Sequence, residues 1–203
     1  MKTTGRGPGR PSGASAADTR ASLLAAARTV FSERGFAGAG IADIVARAGV
    51  SAPVLYHHFA GKADLYLAVA SDVYDEVLGA LAAAAADRSG GQFAARFDAV
   101  LVAAADLNDA DPSIGRFATA MPADLRLTPE LEPLREQMGR VRTFFLGLAA
   151  GCPEIPARRR AAVADACTAL TAGLSRAGSV QTPAEFRRTV EAFRLLVRGE
   201  LFG

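Results

Sequence analysis

Residues that carry catalytic chemistry are scarce in this chain. Its 203 residues include two histidines and two cysteines, and the histidines, His57 and His58, are neighbours. Adjacent residues on a helix point about 100° apart, so the two imidazoles cannot comfortably share a metal ion. The last two thirds of the chain have no imidazole to activate Cys152, Cys167 or a serine. No spacing of Cys, His, Asp and Glu fits a metal site. Gly61-Lys62 lacks both the upstream glycine and the following Ser/Thr of a phosphate loop. No enzyme activity, cofactor or metal is therefore expected. Two cysteines make no disulfide framework, which suits a reducing compartment. The longest apolar run, Val77 to Ala86, is too short to span a bilayer. The N-terminus lacks the apolar segment of a signal peptide, so a cytoplasmic protein without membrane contact is expected. Strand-period alternation and internal repeats are also absent.

Alanine and leucine dominate the apolar half of the composition, which favours helices. Residues 1–17 are rich in Gly, Ser and Pro and read as a disordered basic arm. Asp18 is a plausible cap for a first helix whose apolar residues, Leu23 to Phe31, recur at helical spacing up to Gly35. A short helix is expected from Ile41 to Ala48, broken by Gly49. Ser51 can cap a third helix from Ala52 to about Phe59, with Pro53 tolerated in its first turn and Val50 and Leu55 placed as a hydrophobic staple. Two short helices joined by a glycine turn make a helix-turn-helix. A longer helix follows from Gly61–Lys62 to Ser89-Gly90-Gly91, and another carries Phe93 to Ala104. Asp111-Pro112 opens a helix that Pro122 should end, and Thr128-Pro129-Glu130 repeats the start signal. Helices at about 157–177 and 183–201 complete an all-α fold of about nine, the last opened by a capping box at Thr182 and Glu185. The expected division is an arm (1–17), a three-helix helix-turn-helix domain (18–66) and a larger helical domain (67–203).

Charge is distributed unevenly. Residues 1–66 carry eight Lys/Arg against four Asp/Glu, so an anionic partner would be met by the first third. The ordered set Phe31, Gly35-Phe36, Ile44, Ala48-Gly49-Val50-Ser51, Leu55-Tyr56-His57-His58-Phe59, Lys62 and Leu65 resembles the DNA-binding domain of the TetR/AcrR family of bacterial transcriptional regulators. The resemblance covers about a quarter of the chain. It implies a one-component regulator, most often a repressor, that binds a near-palindromic double-stranded operator as a homodimer and is released by a small molecule.

Within that frame the second helix of the motif enters the major groove and its first residues reach base edges. Ser51, Ala52, Pro53, Tyr56 and His57 are the candidates, with His58 turned inward. Lys62 stands near the start of the fourth helix, and the resemblance casts Tyr56 and Lys62 as phosphate contacts. The chain departs from the family at Ala39-Gly40, where most members carry a threonine pair. Gly40 can still cap and offer its N–H to a phosphate, but the side-chain contact is lost. Ala52 and Pro53 bring no hydrogen-bonding side chain, so base readout leans on His57, methyl contacts and DNA shape. Gly9-Arg10-Pro11 resembles an AT-hook core, which makes Arg10 a minor-groove candidate.

The resemblance also implies that the last two helices pair with their twins in a four-helix bundle, and small residues beside their apolar stripes permit close packing. Candidate lining residues of an effector pocket are Phe97, Phe117, Met121, Met138, Phe144 and Phe145, of which the adjacent pair Phe144 and Phe145 cannot face one direction. Few charges lie on these faces, so an apolar or aromatic effector is expected.

Overall fold

A computed structural model of the chain describes residues 15–87 and 92–201. Among the described residues it is all-α, with nine α-helices and one short 3-10 turn. Helix α1 spans Ala16–Gly38, α2 Ile41–Ala48, α3 Ala52–His58, α4 Lys62–Ala86 and α5 Phe93–Ala110. They are followed by α6 (Pro112–Leu127), the 3-10 turn Pro129–Leu131, α7 (Leu134–Ala150), α8 (Ala157–Val180) and α9 (Pro183–Arg198).

Local chemistry accounts for most of these boundaries. Helix α1 begins three residues earlier than Asp18 as a cap would place it, because Ser15 is the cap and Asp18 completes a reciprocal capping box. Gly35 interrupts α1 at φ 64°, a left-handed value that glycine adopts without penalty, and the chain then makes one more turn to Gly38. Gly49, at φ 69°, closes α2. Ser51 occupies the cap position of α3, yet its side chain accepts no hydrogen bond there. The Thr182–Glu185 capping box opens α9 as expected.

Two expectations fail at prolines. Pro122 does not end α6, which continues to Leu127. An interior proline costs about 3 kcal/mol through its missing N–H and a clash with the preceding turn. Here Met121 and Leu125 are buried on either side of it, and Asp124 accepts a 2.7 Å hydrogen bond from the Tyr66 hydroxyl. Tertiary contacts thus hold the helix past the break. Thr128-Pro129 opens only the 3-10 turn, and α7 starts at Leu134. An α-helix begun at Pro129 would need an N–H from residue 133, which is itself a proline.

Two large hydrophobic cores, and a small cluster of Ala149, Cys152 and Ile155, are built on these helices. The first joins α1 to α4 with α6, the 3-10 turn and the start of α7, and includes Leu23, Phe31, Ile44, Leu55, Leu65, Tyr66, Phe117, Met121 and Leu134. At its centre the Phe31, Tyr66 and Phe117 rings lie 4.8–6.4 Å apart, centroid to centroid, and all three are fully buried. Burial contributes about 1.5–3 kcal/mol per side chain of this size. The second core gathers the distal half of α4 with α5, α7, α8 and α9 around Leu81, Phe97, Leu101, Phe145, Cys167, Leu174 and Phe186. Val77 and Val141 pack against both. The division expected between residues 66 and 67 falls inside the unbroken α4.

Ion pairs clasp the helices from outside. Arg28 of α1 reaches Glu76 of α4 at 2.8 Å and Asp111, the α6 cap, at 2.6 Å. Asp98 of α5 takes both Arg194 and Arg198 of α9 at 2.8 Å. Where α5, α6 and α8 meet, Asn108 lies against Gly115 and Gly178, and its buried Oδ1 has no hydrogen-bond partner.

Candidate nucleic-acid interface

The glycine turn at Gly49 sets α2 and α3 as a compact pair, held to α1 by Ile44 and Leu55, both fully buried. With Leu55 and Phe59 turned into the core, the opposite face of α3 is left to solvent. Tyr56 is 56% exposed although tyrosine carries a large apolar ring. Ser51, Pro53 and His57 are also exposed, and Ala52 is half-buried on the flank. His58 is half-buried, its ring 5.3 Å from that of His57 and 6.3 Å from that of Phe59. The sequence candidates on α3 thus lie together on one outward strip.

Gly40 caps α2 through its backbone alone, with no side-chain bond. Lys62 is half-buried and does not point freely outward. Its Nζ donates to the Ala39 carbonyl at 3.1 Å and sits 4.5 Å from the centroid of the Phe36 ring. Two further contacts around this face carry no sequence signal. Arg20 of α1 stacks over Phe59 at 5.4 Å, which joins the start of α1 to the end of α3. Arg34 pairs with Asp43 of α2 at 2.6 Å. Arg10 lies outside the described residues.

The effector candidates are not brought together. Phe117 and Met121 are fully buried in the first core, with Met138 packed against it. Phe97 and Phe145 belong to the second core, their rings 5.7 Å apart, and Phe144 flanks Phe145 at 5.1 Å. Two surface cavities, of about 420 and 320 Å³, are lined by other residues. The larger lies at the α8–α9 corner, against Val180, Glu185 and Arg188. The smaller runs between α1 and α4, against Arg20, Leu24, Arg28 and Glu76. Among the described residues no helix is long and apolar enough to cross a membrane.

A short helix pair with an exposed second helix, at one end of an all-helical chain, defines a helix-turn-helix protein. Residues 23–69 match the family of bacterial regulatory proteins known as the tetR family. A 52-residue stretch is 56% identical to the transcriptional activator FasR of Mycolicibacterium smegmatis, covering 26% of this chain and 24% of that protein. A 62-residue stretch is 42% identical to the transcriptional regulator CymR of Pseudomonas putida, covering 30% of each. The chain thus aligns with no more than 30% of the length of either curated relative. Whole-chain likeness comes from solved structures. A transcriptional regulator from Rhodococcus sp. Rha1 matches at TM-score 0.72 and 23% identity, over 91% of this chain and 96% of that one. A TetR-family regulator from Streptomyces coelicolor matches at 0.69 and 25%, over 90% and 94%. Residues 23–69 thus match the tetR-family model, and over about nine tenths of its length the chain has the fold of solved TetR-family regulators.

Proposed function

We propose that this protein is a one-component transcriptional repressor. It binds a near-palindromic operator as a homodimer and releases it when a small, apolar or aromatic molecule occupies the second domain. The observation that carries the DNA-binding part is the outward strip of α3, where Tyr56 is left exposed beside Ser51, Pro53 and His57. In this reading Tyr56 donates its hydroxyl to a phosphate, and His57 with the Ala52 and Pro53 carbons meets base edges. Gly40 presents the α2 N-terminus to the backbone, Lys62 stands at the edge of the face, and Arg10 reaches the minor groove.

Pairing through α8 and α9 is supported by what those helices leave uncovered. Val180 is 77% and Leu196 44% exposed, and the small residues Ala162, Ala166, Ala169 and Gly173 are exposed along α8. A two-fold pair would set the two α3 helices about one DNA turn, roughly 34 Å, apart. Repression is the sign we propose although the relative FasR is named an activator. The match to FasR covers only 26% of this chain, and the sign of control depends on where the operator lies relative to the promoter. One observation favours a second reading, in which the distal helices only dimerise: Phe97, Phe117, Met121 and Phe145 are packed to 3% exposure or less.

The test is binding to the intergenic DNA beside the gene, with Tyr56→Phe alongside. Specific, saturable binding that Tyr56→Phe weakens about five- to tenfold, at unchanged melting temperature, supports the reading. Failure of the wild type to bind any such DNA at low salt refutes it. Apolar ligands titrated against tyrosine fluorescence and operator binding then separate the two readings of the distal domain.

A further inference from the structure

Lys62 is the first residue of α4, where the positive end of the helix dipole disfavours a cation. Its ammonium instead leans back across the face of Phe36 to the Ala39 carbonyl. That carbonyl precedes the helix ladder of α2, whose first bond runs from the Ile44 N–H to the Gly40 carbonyl at 3.3 Å. Ala39 is only 3% exposed, and Gly40 supplies no side-chain cap. An acceptor left without a partner at such a place is costly. We infer that Lys62 is a positioning residue for α2. It holds the Ala39 carbonyl and so fixes the backbone that leads into the helix-turn-helix, and this, more than a direct phosphate contact, is its main contribution to operator binding. The ring of Phe36 is the other half of the device, since it shields the ammonium and fixes its approach.

The effect of Lys62 on operator binding rests on the DNA-binding reading, so the experiment has one arm without DNA. In the free full-length protein, Lys62→Met keeps the stem and removes the charge and the donors. Amide exchange at Ile44 and Val45 should then speed up about tenfold and the melting temperature should fall, while Lys62→Arg should recover most of both. With operator DNA, Lys62→Met should lower affinity similarly at every salt concentration, leaving the slope of log K against log salt unchanged. A phosphate contact predicts the opposite pattern: normal exchange and melting in the free protein, and a slope reduced by about one unit. Wild-type exchange and melting in Lys62→Met would overturn the inference, whatever the DNA arm gives. Absence of operator binding by the wild type would sink the DNA-binding reading and leave the exchange result to decide the role of Lys62. If Lys62→Met does not fold, Lys62→Gln, which removes the charge and shortens the reach but keeps amide donors, should shift exchange and melting in the same direction by a smaller amount. Wild-type values in that variant would overturn the inference.

Discussion

Replacing Asp98 by asparagine should unclasp α9 from α5. Arg194 approaches Asp98 with two nitrogens, Nε at 2.8 Å and Nη2 at 3.2 Å, and Arg198 adds a third contact at 2.8 Å. The Asp98 side chain is 16% exposed, that of Arg194 24% and that of Arg198 36%. The outer pair is therefore screened and contributes little. The inner pair is partly buried and bidentate, and its loss leaves a guanidinium short of a charged acceptor, so the total cost should be about 2 kcal/mol. For a chain of this length that is roughly 4–8 °C in melting temperature. Burial pushes the Asp98 carboxyl up, but hydrogen bonds and charge from Arg194 and Arg198 outweigh it and hold the group below its usual value of 3.8. The stabilisation is thus complete above about pH 4 and is lost as pH falls through the lowered folded-state value. Thermal melts of wild type and Asp98→Asn at pH 7, 5 and 3 should show a gap that is full at the first two and narrows at the third. Protomer concentration must be held fixed, since dimerisation would shift both curves. A double-mutant cycle with Arg194→Met should return most of the 2 kcal/mol as coupling. A difference under about 0.5 kcal/mol, or a gap that ignores pH, would refute the reasoning.

Two further substitutions test the helix packing. Pro122→Ala restores the missing N–H inside α6 and should raise stability by about 2 kcal/mol, after allowing for the more flexible unfolded chain. An unchanged melt would mean that α6 carries no strain at Pro122. At Gly178 an added Cβ would stand 2.8 Å from Asn108 Oδ1 and 3.1 Å from its Cγ, so Gly178→Ala should destabilise by about 1 kcal/mol net of its helix-propensity gain. In an Asn108→Ala background the same change should become stabilising, and chemical denaturation of the four proteins would expose the reversal or its absence.

The elements that were legible in the sequence are those whose signals are local. Ile41–Ala48 is bounded by Gly40 and Gly49, and Thr182 with Glu185 marks the start of α9, because caps and left-handed turns depend on a few adjacent residues. Pro122 misleads for the same reason: its local preference is overridden by the packing of Met121 and Leu125 into the first core and by the Tyr66–Asp124 bond, whose partners come from far along the chain. Helical spacing marks Phe117 and Met121 as buried but does not say against what, and they pack into the DNA-binding end. The strip Ser51, Pro53, Tyr56, His57 is readable because Leu55 and Phe59 fix which side of α3 is inward. The turn of Lys62 toward Ala39 is not, since the partner is a backbone carbonyl that any residue would supply.

Helix α4 takes part in both hydrophobic cores, and Val77 marks where it passes from one to the other. From there to Lys62 is fifteen residues of unbroken helix, about 22 Å of nearly rigid rod. A tilt of only about 5° about that point moves the near end by roughly 2 Å. In a two-fold pair with mirrored tilts the recognition helices would shift by about twice that, against a groove repeat of roughly 34 Å. In the proposed dimer, such a rod and pivot would convert a small repacking at one end into a misfit of half-site spacing at the other, with no need for either core to melt.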